Sequence, residues 1–391
     1  MRGIGPAFLF PVALLAQSTE TRAQLGEAMK FATAGEYARA EALLLDLSRK
    51  APADAEVRYR LGVLLLRQQK TAEASRELNA AAQLRPNAAP VWLALVQTRL
   101  QLGETAAALA AAGKAESAIS AAQGSAPAES ARLRMLLGQA YRMAKKPAEA
   151  VEQMQQAIRL DPGQPPYYAA LAQLFLDHRT PEPAAAVLEA SVARFPDVAE
   201  LVRLLGLAYY AEGKLEKAID VFLRVIDLEP DAEASYASLE TLIPNAGARL
   251  DTIIAKLRGF AERKPGSPLG HYLLALAIAA RTPSAAEVEP LLRKAVQCDP
   301  QFWPAWFELH KPLLDAGNAE EAARVLTRAV ELNPEFAPAR YSLAQVLTRL
   351  GNRDGAREQR RIHHELLERQ REAAEARRAD APMLPYELVR P

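Results

Sequence analysis

Cysteine is almost missing from this chain: Cys298 stands alone among 391 residues. No intramolecular disulfide can form, so stability has to come from packing. Aromatic residues make up only 6% of the chain, whereas 50% of it is hydrophobic, with many alanines. A sheet needs branched and aromatic side chains, but closely packed helices do not, and the composition points to an all-α fold. Charge of one sign is missing too. There are 48 Lys plus Arg against 47 Asp plus Glu, a net charge of +1, which excludes a global electrostatic footprint for nucleic acid or an anionic membrane. No apolar run reaches the length of a transmembrane helix, so the mature chain is expected to be soluble, with no membrane-spanning segment.

Catalytic signatures are missing as well. The sequence contains no HExxH, no GxxxxGK[ST] and no GxSxG, the spacings that would hold zinc, cradle phosphates or expose a nucleophile. His178, His271 and His310 stand without a spaced cysteine or carboxylate cluster. His363-His364-Glu365 is the one suggestive run, but neighbours on a helix diverge by about 100 degrees, which is poor geometry for a metal. Cys298, in AVQCDP, reads as a small, partly buried residue. No enzyme, metal or cofactor is expected.

What the chain does contain is repetition. Its clearest unit is Ala199–Pro230, with Val202, Leu205, Gly206, Tyr209, Ala218, Phe222, Val225 and Pro230 spaced for two short helices joined at Glu212-Gly213-Lys214. Preceding copies end at Pro196 and Pro162, so the proline recurs every 34 residues. A fixed period of this length marks a solenoid, in which stacked units share one continuous core.

Units in phase close at Pro52 and Pro86, and later at Pro162, Pro196, Pro230, Pro300 and Pro334. The third departs from the period: Pro127 follows Pro86 by 41 residues rather than 34. A longer second helix that preserves the facing pattern accounts for this, the alternative being a Gly/Ser-rich bulge around 123–129. The seventh unit, ending at Pro265, fits only with an inserted residue and holds a rigid turn at Pro244-Asn245-Ala246-Gly247. In the tenth, Arg360 and His363 replace apolar or small residues, which says the stack is ending. Gly62, Gly138 and Gly206, with Ala74, Ala150, Ala218 and Ala322, let helices approach closely while bulky neighbours fill the remaining space.

These units resemble tetratricopeptide repeats, whose signature runs Trp, Leu, Gly, Tyr in the first helix and Ala, Phe, Pro further on. Trp92 or Trp306 takes the first place, and Leu205, Gly206, Tyr209, Ala218, Phe222 and Pro230 take the others. The resemblance covers residues 24–363. It implies a right-handed superhelical solenoid of about ten antiparallel helix pairs with a concave groove for a protein or peptide partner. In the family pattern that groove is lined by the second, fifth, ninth and twelfth positions of each first helix. Carried over, these give Tyr59, Val63 and Leu66; Met135, Gln139 and Arg142; Arg203, Leu207 and Tyr210; Phe307, Lys311 and Leu314; and Tyr341 and Gln345. Such a groove is mixed rather than charged, which suits apolar contacts and argues against a terminal-carboxylate clamp. Phe307, Lys311, Tyr341 and Gln345, with Trp303 and Trp306 behind them, make the C-terminal part the favoured location.

Both ends depart from the repeat. Residues 1–23 carry Arg2, an apolar stretch Phe8–Ala16 and Thr21-Arg22-Ala23, a pattern that reads as a secretory signal peptide cut before Gln24, with a second possible cut after Ala16. A frayed amphipathic helix is the other reading. From His364 to the C-terminus a capping helix and an extended tail are expected. The expected function is a non-catalytic scaffold in an exported or envelope-associated assembly, periplasmic or secreted; the alternative is a cytoplasmic adaptor or co-chaperone-like module.

Overall fold

In the regular repeats a first helix (helix A) of about four turns meets a second (helix B) of similar length, and in the second, fourth and sixth the contact is set by one glycine. A Cβ added to Gly62 would lie 2.6 Å from Leu78 Cγ, one on Gly138 2.6 Å from Met154 Cγ, and one on Gly206 2.8 Å from Phe222 Cζ. Real Cβ atoms do not come so close, so glycine is what lets the bulky residue of helix B lie directly on the helix A backbone. All three partners are buried to 2% exposure or less.

The computed structural model describes residues 10–122, 127–282 and 285–380. Among them the helix pairs are α1 (Phe10–Thr33) with α2 (Tyr37–Lys50), α3 (Ala55–Arg67) with α4 (Thr71–Leu84), α5 (Ala89–Gln101) with α6 (Thr105–Ala121), and α7 (Pro127–Met143) with α8 (Pro147–Leu160). Next come α9 (Pro165–Asp177), α10 (Pro181–Arg194), and α11 (Ala199–Ala211) with α12 (Leu215–Leu228). The seventh unit breaks its first helix into α13 (Glu233–Ala237), α14 (Leu239–Leu242) and two 3-10 turns before α15 (Leu250–Arg263). It is followed by α16 (Pro268–Arg281) with α17 (Ala285–Cys298). The ninth unit splits its first helix into α18 (Trp303–Glu308) and α19 (His310–Asp315) ahead of α20 (Ala319–Leu332), and α21 (Ala337–Arg349) pairs with α22 (Arg353–Asp380). The fold is therefore all-α and built of paired helices.

The chain divides into two compact units, residues 1–171 and 172–391. In the first, the core passes from Ala28, Leu44, Leu61 and Leu65 through Leu78, Leu93 and Val96 to Leu133 and Leu136. The second has its own buried series, with Phe175, Leu205, Phe222, Tyr236, Phe260, Leu273, Leu292 and Leu326 at 6% exposure or less.

Two devices recur among the pairs. The residue turning helix A into helix B sits in the left-handed region: Gly35, Gly103, Gly213, Gly317 and Gly351 have φ between 75 and 79°, and Gln69, Lys145 and Arg179 take the same place at 54–63°. The second device satisfies the closing proline. Six residues after it, a side-chain donor reaches back to the proline carbonyl: Arg58 to Pro52, Trp92 to Pro86, Tyr168 to Pro162, Tyr236 to Pro230, His271 to Pro265 and Trp306 to Pro300, at 2.7–3.1 Å. The Cys298 thiol also donates to the Pro265 carbonyl, at 3.5 Å.

The irregular units differ from expectation in instructive ways. The extra residues of the third repeat do not all go into its second helix. Both α6 and α7 run to 17 residues, and Pro127, expected to close the third unit, opens α7 instead, a position where its missing N–H costs nothing. Part of the alternative bulge, residues 123–126, lies outside the described residues. The ninth unit, expected to be regular, breaks at Leu309 because Pro312 has no N–H to donate to Glu308. Helix α1 continues unbroken through residues 23 and 24. Helix α22 buries Leu366, takes His363 Nδ1 to the Ala337 carbonyl at 3.0 Å and exposes His364. The tail beyond residue 380 and the first nine residues lie outside the described residues.

Gly206→Leu is expected to overpack the Phe222 contact and cost about 1–3 kcal/mol. Gly213→Ala should cost about 1–2 kcal/mol, because φ there is +76°, and Gln69→Gly should gain up to about 1 kcal/mol for the converse reason. Urea denaturation of the three variants checks all of these signs. Tyr236→Phe, which removes a buried hydroxyl donor from the Pro230 carbonyl, should cost about 1 kcal/mol in the same assay.

Candidate protein-binding site

The positions expected to line a groove separate into buried and open groups. In the first compact unit, Tyr59, Val63 and Leu66 pack against the apolar cluster around Leu93 and Val96, and Arg60 lies 5.5 Å from the Tyr59 ring centroid. Met135 is buried at 6% exposure, Gln139 is half-buried and Arg142 is exposed. Met135 thus belongs to the core and is withdrawn from a binding surface. In the second, Arg203 is half-buried, whereas Leu207 and Tyr210 are 40% and 44% exposed. Three residues apart on α11, they share one face. Phe307 is half-buried and engaged edge-on with Phe336 at 5.1 Å, and Trp303 also packs on Phe336, at 4.5 Å. Leu314 is half-buried, Gln345 is exposed, and Tyr341 is 50% exposed with its ring 5.4 Å from His363.

A pocket of 510 Å³ lies in the second compact unit. Its floor is Ala275, Leu276, Ala279 and Ala280 of α16 with Val288 and Leu292 of α17. One wall is Glu240, Ile243 and Pro244 from the broken seventh unit, and the other is Glu308, Lys311, Pro312 and Asp315 from the broken ninth. The local sequence explains the opening. Pro244 and Pro312 interrupt the helices A on either side, and between them α16 carries alanines that leave the space unfilled. Ala275 stands ten residues after Pro265, as Gly206 does after Pro196, and is fully buried at the close-approach position, whereas the next residue, Leu276, is half-buried and lines the pocket. Of the expected groove residues Lys311 lines this pocket, while Phe307, Tyr341 and Gln345 are not in its wall. Sequence reading missed the rest, although an internal proline in helix A was the available signal.

The walls are electrostatically set. Tyr272 is buried, which pushes its phenol well above the usual tyrosine range, and its hydroxyl donates to Glu240 Oε1 at 2.7 Å. The carboxylate is thereby oriented. Lys311 Nζ lies 2.7 Å from Glu308 Oε2. Among the described residues no group of three His, Cys, Asp or Glu is placed to hold a metal ion, and no helix is long and apolar enough to cross a membrane.

Behind this wall His310 is buried, with Nδ1 donating to the Phe307 carbonyl. Burial holds its imidazole below the usual histidine range, an effect the carbonyl bond only partly offsets. A neutral buried histidine is matched by an unfolded one that protonates near pH 6.5, so stability is complete above that pH and falls as pH drops through it. The urea midpoint is expected to drop between about pH 8 and about pH 5.5, and to drop less in His310→Gln.

Tetratricopeptide repeat models match residues 31–97 and 313–359, 131–174, and 169–233, together more than half of the chain. No curated protein matches it. Among solved structures, the C-terminal part of a repeat-containing protein of Cytophaga hutchinsonii is similar at 16% identity over 73% of this chain and 99% of that one, with a TM-score of 0.48. PilF of Pseudomonas aeruginosa is similar at 18% identity over 58% of this chain and 99% of its own, TM-score 0.47. Yeast Tom70 is similar at 12% identity over 93% of this chain and 96% of its own, TM-score 0.41. With its repeating proline, its small-on-large helix contacts and these family matches, the chain belongs to the tetratricopeptide repeat proteins, a family of non-catalytic scaffolds that bind proteins or peptides.

Proposed function

We propose that this chain is an adaptor or co-chaperone-like module that holds an extended or helical protein segment along the open faces of its helices A. One observation carries the reading: apolar side chains stay open at the family's groove positions, Leu207 and Tyr210 on α11 and Tyr341 on α21, where a monomer gains nothing from leaving them in water. Aromatic anchors of this kind supply rigid contact area at little entropic cost. Working in the cytoplasm requires no processing of a chain whose first helix runs through the expected leader boundary.

Export is the second reading, and one observation favours it. Among the described side chains of α1, Leu25, Ala28, Phe31 and Ala32 pack in the first core. Loss of residues 1–23 would therefore leave that packing in place, and a cut after Ala16 would spare still more of the helix. N-terminal sequencing of the native protein decides between the two: a start at Gln24 or Gln17 supports export, and a start at Met1 or Arg2 supports the cytoplasmic adaptor.

Photo-crosslinkers placed at Leu207 and Tyr341 in the native host are expected to capture a protein partner. Once it is identified, Tyr210→Ala and Tyr341→Ala should each weaken binding by about tenfold, or 1.4 kcal/mol, with melting unchanged because both side chains are open. Phe307→Ala should lower the melting temperature instead, since Phe307 packs on Phe336. Partner affinity that survives both tyrosine variants would remove the helix A faces from the binding site.

A further inference from the structure

We propose that the pocket walled by α14, α16 and α19 takes a protein segment presenting one aliphatic or aromatic side chain beside a basic residue, an inference that rests on the helix A reading above and names the chemistry of the partner at one place. The floor is carbon, formed by Leu276, Ala279, Ala280 and Leu292. At 510 Å³ the volume falls in the range of sites that enclose a ligand, roughly 300–1,000 Å³, so it holds a large side chain together with adjoining backbone.

The rim decides the charge of the occupant. Glu240, Glu308 and Asp315 face a single cation, Lys311, which already pairs with Glu308 at 2.7 Å. The rim is therefore negative, although the chain as a whole carries a net charge of only +1. Backbone geometry adds to this. Pro244 stands four residues after Glu240, and Pro312 four residues after Glu308. Neither proline has an N–H, so the carbonyls of these two rim glutamates lose the donor that a continuous helix would give them. Carboxylates and released carbonyls are all acceptors, and what they select is a donor: an arginine fork or a lysine ammonium. An acidic segment or a free C-terminal carboxylate would meet like charge here. Tyr272 fixes one of the acceptors in advance by its 2.7 Å bond to Glu240, which lowers the ordering cost of binding.

The full chain is titrated, by fluorescence anisotropy, with three short capped peptides in a Gly/Ser background that differ only in a central pair: Leu-Arg, Leu-Glu or Ser-Arg. Leu-Arg is expected to bind at least about tenfold more tightly than either of the others. Ala280→Trp, at an exposed position on the pocket floor, should fill the space and abolish Leu-Arg binding. Glu240→Gln combined with Asp315→Asn should weaken Leu-Arg about tenfold and flatten its salt dependence, with circular dichroism and melting as controls for the fold. Equal affinity for Leu-Glu, Leu-Arg binding that is indifferent to both sets of variants, or no binding by any of the peptides overturns the assignment. So does sedimentation showing that Ala280→Trp dissociates a dimer, because a second copy would then be the occupant. If the peptides fail while crosslinking at Leu207 or Tyr341 still captures a partner, the pocket falls and the scaffold stands; if crosslinking fails as well, both fall.

Discussion

The contact on which the tightest units depend is the approach of a helix A backbone to one large side chain of helix B: Gly62 on Leu78, Gly138 on Met154, Gly206 on Phe222. Without a Cβ at that point the helices close on each other, and the rest of the pair follows from how tightly they do. The turn between them must then be short, which is why its residue is forced to positive φ at Gly35, Gly103, Gly213, Gly317 and Gly351, and even at Gln69, Lys145 and Arg179. Most return turns end on a proline whose carbonyl is taken up by a donor from the next helix A, Pro196 being served instead by Arg224 of helix B. A chain without disulfides can be held together this way because every pair contributes buried apolar area to its neighbour.

Where the rule is relaxed, space appears. The units on either side of the eighth interrupt helix A at Pro244 and Pro312. The same prolines release backbone acceptors beside Glu240 and Glu308, so an opening made by sterics acquires a negative rim. The regular units bury their contacts and leave only isolated open side chains such as Tyr210. Irregularity therefore coincides with a cavity that combines an apolar floor and a charged wall.

Much of the fold was legible because its determinants are local and repeated. A proline every 34 residues, a small residue in helix A and a bulky one in helix B are visible without coordinates. The break at Leu309 was less visible, because Leu309 and Leu313 kept the apolar pattern while Pro312 removed the hydrogen bond beneath it. The site was only partly legible. Family positions give the face of a helix but not how far a neighbouring unit covers it, and so Met135 was buried and Phe307 committed to Phe336, while Tyr341 and Leu207 remained open. The pocket depends on three units at once, and no single repeat contains its signal. The donors to the closing prolines were hidden for a different reason: Arg, Trp, Tyr and His share no side-chain pattern, only a distance from the proline.

The most direct measurement is hydrogen exchange on the native chain with and without its captured partner. If the open helix A faces hold that partner, exchange slows in α11, α16, α19 and α21 on binding and stays unchanged in α12 and α20, the helices B paired with α11 and with α18 and α19. Protection confined to the helices B, or spread evenly over both, contradicts the assignment of the binding face.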